Sequence, residues 1–375
     1  MSRRVKGTIH AYRHGPECFQ SPANPPRLAS EECLTVSVWA PFICRMTDEL
    51  RPVVVVAASD WFQTGRVADY DAVCRDIAAD GDMVVVAISF RLGVFGFLHA
   101  PDAQNASTNV GFHDITEALS WIRNHVGVFY GDAHALVALG IGSAGLPLSL
   151  PDVAPHRGER YFFKRLILHG MVAGSMVPLN SEQNVRALAS RLPSCTKTVK
   201  ANMTEVVRCL RNVSAPALLE ASLGMRMRFV PVLTAGLEGG TESSSPWNKE
   251  SSRFMENVDV MCGYTLNDAR KLVDYKPEDT DAKALFDKLV NFFTARNHTG
   301  AYDRLPESVR EEVRYANRDG FVELLADIIF YCPLRDMASA FTKQKANVFF
   351  YANVEGEPLH PLNTLRYTIT FAKSG

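Results

Sequence analysis

Short apolar, β-branched runs punctuate the chain. Thr35 to Val38, Val53 to Ala57, Met83 to Phe90, Leu136 to Leu139, Leu166 to Leu168 and Val348 to Tyr351 are each brief and bounded by turn residues. Continuous apolar runs of that length predict strands buried on both faces. Between two of them, Ile115, Ala118, Leu119 and Ile122 recur at helical spacing, which predicts a helix with one face on a sheet. Strands alternating with helices predict a mainly parallel sheet covered on both sides. Gly239 to Pro246 (GGTESSSP) reads as a surface loop. No internal repeat and no long low-complexity linker divides the chain, so residues 1–375 are expected to form a single domain.

Composition adds limits. The chain has 375 residues, 47% of them apolar and 22% charged, which is ordinary for a globular protein with a large core. A formal net charge of -1 gives no electrostatic reason to expect nucleic acid or an anionic membrane as partner. No apolar run reaches the length of a membrane span. The opening MSRRVKGTIHAYRHG is basic without an apolar core, so no signal peptide is visible. Yet there are N-x-S/T sequons at Asn105, Asn202, Asn212 and Asn297, and eight cysteines that include two close pairs. Both lean towards an oxidising, extracellular compartment. No spacing of cysteine or histidine suggests zinc, and no cofactor is expected.

The stretch VALGIGSAGLPL, Val137 to Leu148, comes close to the nucleophile elbow G-x-S-x-G, in which a serine sits on a sharp strand-to-helix turn. The residue two before Ser143, however, is Ile141. Longer matches surround it. They are YRHGPECFQ, SEECLTVSVWAP, SFRLGVFGFL, NVGFHDITEALSWIRNHVGVFYGD, VDVMCGYTLNDA, IFYCPL and NVFFYANV. In this order they resemble the landmarks of the type-B carboxylesterase and cholinesterase family, across nearly the whole chain. The resemblance implies the α/β-hydrolase fold, with a mostly parallel central sheet and helices on both faces. It also implies a chain shortened at both termini, with part of its sheet or core uncovered. It implies disulfides pairing Cys18 with Cys33 and Cys195 with Cys209. Cys332 matches a family cysteine whose partner lies beyond this chain's end. It is expected to be a buried thiol, as are Cys44, Cys74 and Cys262.

Ester hydrolysis on this fold needs a nucleophile, a histidine base oriented by an acid, and backbone donors for the oxyanion. Aligned without gaps from Asp132, the family's serine position falls on Gly142 and its flanking glycines on Gly140 and Ala144. Glycine also stands there in the neuroligin-like adhesion branch. A one-residue shift makes Ser143 the nucleophile instead, but then Ile141 must fill a glycine slot, a steric problem for a β-branched residue. The family's oxyanion H-G-G-G falls on Ala58, Ser59, Asp60 and Trp61. Asp60 would place a carboxylate near the developing oxyanion, and Trp61 would fill space meant for substrate. The plainer expectation is that this loop packs on its neighbours. The family's acid segment D-E-G falls on Asn267, Asp268 and Ala269. Asp268 could orient a histidine, although a carboxylate at a strand end is commonly a cap. The family's catalytic histidine falls on Leu365. His298 and His360 are the histidines that follow Asp268, and His360 is a poor substitute base.

The resemblance therefore implies a degenerate family member without an intact hydrolytic site, acting by binding. The expected partner is an extracellular protein, as in adhesion, or a hydrophobic small molecule held in a former active-site gorge. The alternative is a divergent serine carboxylic-ester hydrolase using Ser143, Asp268 and His360.

Overall fold

The computed structural model describes residues 10–20, 29–41, 49–150, 163–175, 180–225, 229–232, 257–265 and 318–353. It also describes positions 7, 268–269, 286–287, 307, 310–311 and 369–372. Cys44, Asn297, His298, His360, Leu365 and the loop Gly239 to Pro246 lie outside these.

Among the described residues seven strands form one sheet: β1 (Val36–Trp39), β2 (Arg51–Ser59), β3 (Val84–Ile88), β4 (Gly131–Gly142), β5 (Arg165–Gly170), β6 (Asp259–Thr265) and β7 (Val348–Asn353). Their order is β1-β3-β2-β4-β5-β6-β7. Only the β1–β3 pairing is antiparallel; the others are parallel. The inner strands are nearly all buried, which explains why they read as unbroken apolar runs. β1 is only half-buried, as suits an edge. The apolar-run rule trims β4 too far. Its first half carries Asp132 and His134, which lie in an irregular stretch between the Gly131–Arg51 and Leu136–Val53 pairings with β2. It also overlooks β6 as a run, because Asp259, Gly263 and Thr265 dilute the apolar signal there.

Helix α1 (Asp71–Gly81) lays Val73, Cys74, Ile77 and Ala78 on one face of the sheet, against Val54, Val56, Val85 and Val137. Short α2 (Gly93–Phe97) leads to α3 (Val110–His125). α3 buries Ile115, Leu119 and Ile122 on the opposite face with Val53, Val55 and Ala138, at the spacing expected from sequence. Covering the parallel strands on both faces is what their apolar composition demands. A very short helix, α4 (Gly145–Leu148), follows β4.

A satellite cluster gathers α5 (Glu182–Ser190), α6 (Met203–Arg211) and α7 (Ala215–Leu223) around Val185, Leu188, Val206 and Leu210. The Cys195–Cys209 disulfide staples it, and Cys18–Cys33 closes the other loop, both as paired by the resemblance. Cys74 and Cys262 are buried thiols, and burial pushes both up to about 12. Cys332 is half-buried, not buried as expected. It begins α9 (Cys332–Thr342), whose inward face is taken by Leu334, Met337 and Phe341. Before α9 come α8 (Arg318–Ala326) and a π-helical stretch, Asp327–Tyr331.

Two stretches that carry the family resemblance meet in space. Arg91, from SFRLGVFGFL, grips Asp114, from NVGFHDITEA, with Nε to Oδ2 at 2.8 Å and Nη2 to Oδ1 at 2.6 Å. Its own main-chain N–H donates to the same carboxylate at 3.1 Å. The carbonyl of Arg91 also faces Gly96 and Gly111 so closely that a Cβ on either would come within 2.1 and 2.6 Å of it. The fork therefore locks the turn after β3 to the first turn of α3.

Candidate functional site

β4 ends at the opening stretch of interest. Gly140 packs on Gly145, where a Cβ would fall 2.6 Å from the Gly145 Cα. The tight glycine slot is thus at Gly140. Ile141 is displaced from it: the side chain points to the other face of the sheet and packs with the Val54, Val56 and Leu139 cluster. Gly142 forms the apex of the turn with φ +63, a left-handed backbone that glycine adopts without strain. A Cβ there would lie 2.3 Å from the carbonyl oxygen of Ser59. The elbow backbone persists, and its apex has no room for a side chain.

Ser143 follows, 1% exposed. Its hydroxyl accepts from the Phe62 main-chain N–H at 2.8 Å, donates to the Ser59 carbonyl at 3.1 Å, and lies 2.8 Å from the Ser59 hydroxyl. Its main-chain N–H donates to the same Ser59 carbonyl at 2.8 Å. In an elbow of this type, the N–H after the apex residue is an oxyanion donor. Here the carbonyl of Ser59, the last residue of β2 and the ladder partner of Gly142, occupies it.

The loop that follows runs from Asp60 to Thr64. Asp60 and Thr64 form an isolated bridge that pinches it shut, with Asp60 N–H to Thr64 O at 2.7 Å. Trp61 and Phe62 both adopt left-handed backbone, φ 51 and 58. Such conformations cost roughly 1–2 kcal/mol for residues with a Cβ. Burial offsets the cost. Phe62 is sealed among Phe97 and Phe112 at ring separations of 5.2 and 6.1 Å. Trp61 is buried edge-on to Phe330 at 6.2 Å, on the π-helical stretch. The loop packs on its neighbours, and Trp61 is part of the core. Asp60 is exposed, and its charge acts on Tyr70, whose hydroxyl burial pushes up to about 12 with smaller contributions from Asp69 and Asp60.

Asp268 lies just past β6, two strands over from β4. Its Oδ2 accepts from the Thr265 N–H and its own N–H donates to the Thr265 hydroxyl, both at 3.3 Å. This is the reciprocal capping that a carboxylate at a strand end commonly makes. The structure thus brings together Ser59, Gly142 and Ser143, and binds Asp268 to Thr265.

A histidine that sequence reading missed sits beneath the elbow. His169 lies on β5 in register with Ile141 and Gly263, one residue before Gly170, which packs on Gly142. Its Nδ1 is hydrogen-bonded to the Tyr351 hydroxyl, and its Nε2 is buried with no hydrogen-bond partner among the described residues. Burial lowers it from the ordinary 6.5 to about 4, so it is neutral. Tyr351 is pushed well above its ordinary value, again by burial first. Gly263 makes room for the Tyr351 ring: a Cβ there would lie 2.5 Å from it. The sequence motif LILHG contains this histidine but nothing marks it as internal until the strand register is known.

Of the sequons, Asn105, Asn202 and Asn212 are exposed. Asn202 also caps α6, accepting from the Glu205 N–H at 3.0 Å. Among the described residues no cluster of histidine, cysteine and acidic side chains could hold a metal, and no helix is long and apolar enough to cross a membrane.

The profile of the carboxylesterase family matches residues 2–358. The chain belongs to the carboxylesterase family. This carboxylesterase-family chain is 24% identical over 352 residues to neuroligin-1 of Caenorhabditis elegans, covering 86% of its own length and 44% of the relative's. It is 26% identical over 354 residues to acetylcholinesterase of Bungarus fasciatus, covering 88% of itself and 56% of that protein. It therefore spans about half the length of these curated relatives. Among solved structures, a Geobacillus stearothermophilus carboxylesterase superposes with a TM-score of 0.70 at 22% identity, over 95% of this chain and 72% of that one. That likeness shows the α/β-hydrolase fold.

Proposed function

We propose that this carboxylesterase-family chain has no working hydrolytic elbow and acts by binding, with a protein partner at the cell surface or outside the cell. The observation that carries the reading is the occupied oxyanion donor: the Ser143 N–H, next to the apex residue Gly142, is bonded to the Ser59 carbonyl. A carbonyl at that spot repels an oxyanion, and losing one such donor costs about 3 kcal/mol of transition-state stabilisation. The Ser143 hydroxyl is itself held by Phe62 and Ser59, away from the role of a free nucleophile. The similarity to neuroligin-1 supports binding as the retained role. The two disulfides and three exposed sequons support an oxidising, glycosylating compartment.

The test is exposure of the full chain to an organophosphate, followed by peptide mapping. Ser143 is expected to stay unmodified. Stoichiometric phosphorylation of Ser143 overturns the reading and supports the hydrolase alternative with Asp268 and His360.

A further inference from the structure

A second serine, on the edge strand β1, is better placed for chemistry than Ser143. At the β1 edge of the sheet, the His14 Nδ1 lies 2.9 Å from the Ser37 hydroxyl and its Nε2 lies 3.5 Å from the Asp71 Oδ1. One imidazole thus bridges a hydroxyl and a carboxylate. The geometry is compatible with the tautomer that carries its proton on Nε2, towards Asp71, and leaves the Nδ1 lone pair for Ser37.

Each member is positioned by a different element. Ser37 is held in β1 opposite Ala87. Asp71 opens α1, where the Trp39 Nε1–H donates to the same Oδ1 at 3.2 Å and Arg75 holds Oδ2. The Trp39 ring also flanks His14, with centroids 5.9 Å apart. His14 arrives on the segment before Cys18, which crosses β1 closely enough that a Cβ on Gly15 would fall 2.7 Å from Thr35. The Cys18–Cys33 disulfide ties that segment down. Beside the three residues is a cavity of about 70 Å³ lined by His14, Ser37, Thr35, Tyr70 and Arg66. Arg66 and Glu17, paired at 3.1 Å, stand together in its wall.

A serine hydroxyl becomes nucleophilic at neutral pH when a base within hydrogen-bond reach takes its proton. We propose that Ser37 accepts the acyl group of short, activated esters, with His14 as general base and Asp71 as the residue that positions it. The Ser37 Oγ bonds to the carbonyl carbon as its proton passes to His14 Nδ1 and the carbonyl electron pair moves onto oxygen. Collapse of the tetrahedral species breaks the bond to the leaving oxygen, which takes the proton back from Nδ1. The products are acyl-Ser37 and an alcohol or phenol. Water repeats the sequence to give the carboxylic acid and free Ser37. The size of the cavity restricts the acyl part to a few carbons.

The test treats the full chain with p-nitrophenyl acetate and follows acetylated peptides by mass spectrometry. Acetylation is expected on Ser37 and absent from Ser37→Ala. In His14→Gln, which keeps a hydrogen-bonding side chain without the base, it should slow by about 10²-fold or more, the contribution of a general base. Asp71→Asn should slow it too and Asp71→Glu should restore part of the rate. No adduct on Ser37, or an equal rate in His14→Gln, overturns the inference. An adduct on Ser143 alone overturns it together with the inactive elbow; no adduct on either serine overturns the inference only.

Discussion

The main-chain N–H of Phe62 donates to the hydroxyl of Ser143 at 2.8 Å, across 81 residues of sequence. This bond joins the loop after β2 to the elbow at the end of β4, and it gives Ser143 a structural role. Ser143→Ala would leave the buried Phe62 N–H unpaired, which costs about 1–3 kcal/mol. Chemical denaturation should show that loss while any ester turnover stays unchanged. A variant as stable as the parent would contradict the bonding described.

Gly142→Ser tests the apex from the other side. It restores a serine where the family alignment places one, but its Cβ would meet the Ser59 carbonyl at 2.3 Å. The loop must move, breaking the Ser143 N–H bond to Ser59. A loss of about 3 kcal/mol or more is expected, in the range of overpacked and strained buried sites. Ester turnover should not rise above that of the parent. A stable Gly142→Ser protein that hydrolyses esters faster than the parent would show that the loop is easily displaced.

Buried His169 makes stability fall in acid. In the native state it remains neutral down to about 4, whereas in the unfolded chain it takes up a proton near 6.5. Between those values the unfolded state binds more protons, so stability rises with pH and is lost as pH drops from about 6.5 towards 4. At about 1.4 kcal/mol per pH unit the contribution reaches about 3 kcal/mol. Denaturant midpoints from pH 7 to 4 should fall less steeply for His169→Gln than for the parent. Equal slopes would remove His169 as the cause.

Asp114→Ala should be costly for a surface-proximal ion pair. It strips the Arg91 fork of both side-chain partners and leaves the Arg91 N–H without its acceptor. Breaking a buried pair costs about 3–5 kcal/mol, and the partial exposure of the Arg91 side chain, 36%, brings the expectation down to about 2 kcal/mol. Thermal unfolding at low and high salt measures it; a strongly salt-dependent loss would mean the pair is screened and largely superficial.

Reduction tests the staples. Replacing Cys195 and Cys209 together by serine should lower stability by about 2–4 kcal/mol through the unfolded state. The loss should be concentrated in the satellite helices α5 to α7, seen as faster amide exchange there. Uniform exchange across the sheet and helices would instead indicate one cooperative unit.

The sequence by itself determined the architecture. Runs such as Val53 to Ala57, short, β-branched and bounded by turn residues, read as strands buried on both faces, and the 115–119–122 stripe reads as a helix lying on them, because apolar surface must leave water. The ordered landmarks carried the family and both disulfides. Tertiary structure decided the chemistry. Whether Gly142 or Ser143 takes the apex depends on which glycine can approach Gly145, a contact made only after β4 and its following turn are folded. Whether the Ser143 N–H is an oxyanion donor depends on a strand-end carbonyl 84 residues earlier. The convergence of His14, Ser37 and Asp71 leaves no local pattern, since an edge strand, a helix start and a disulfide-held segment must come together before their side chains meet. Hydrophobic periodicity is local and survives in one dimension. Hydrogen-bond partners across a sheet are set by register and loop path, and those exist only in three.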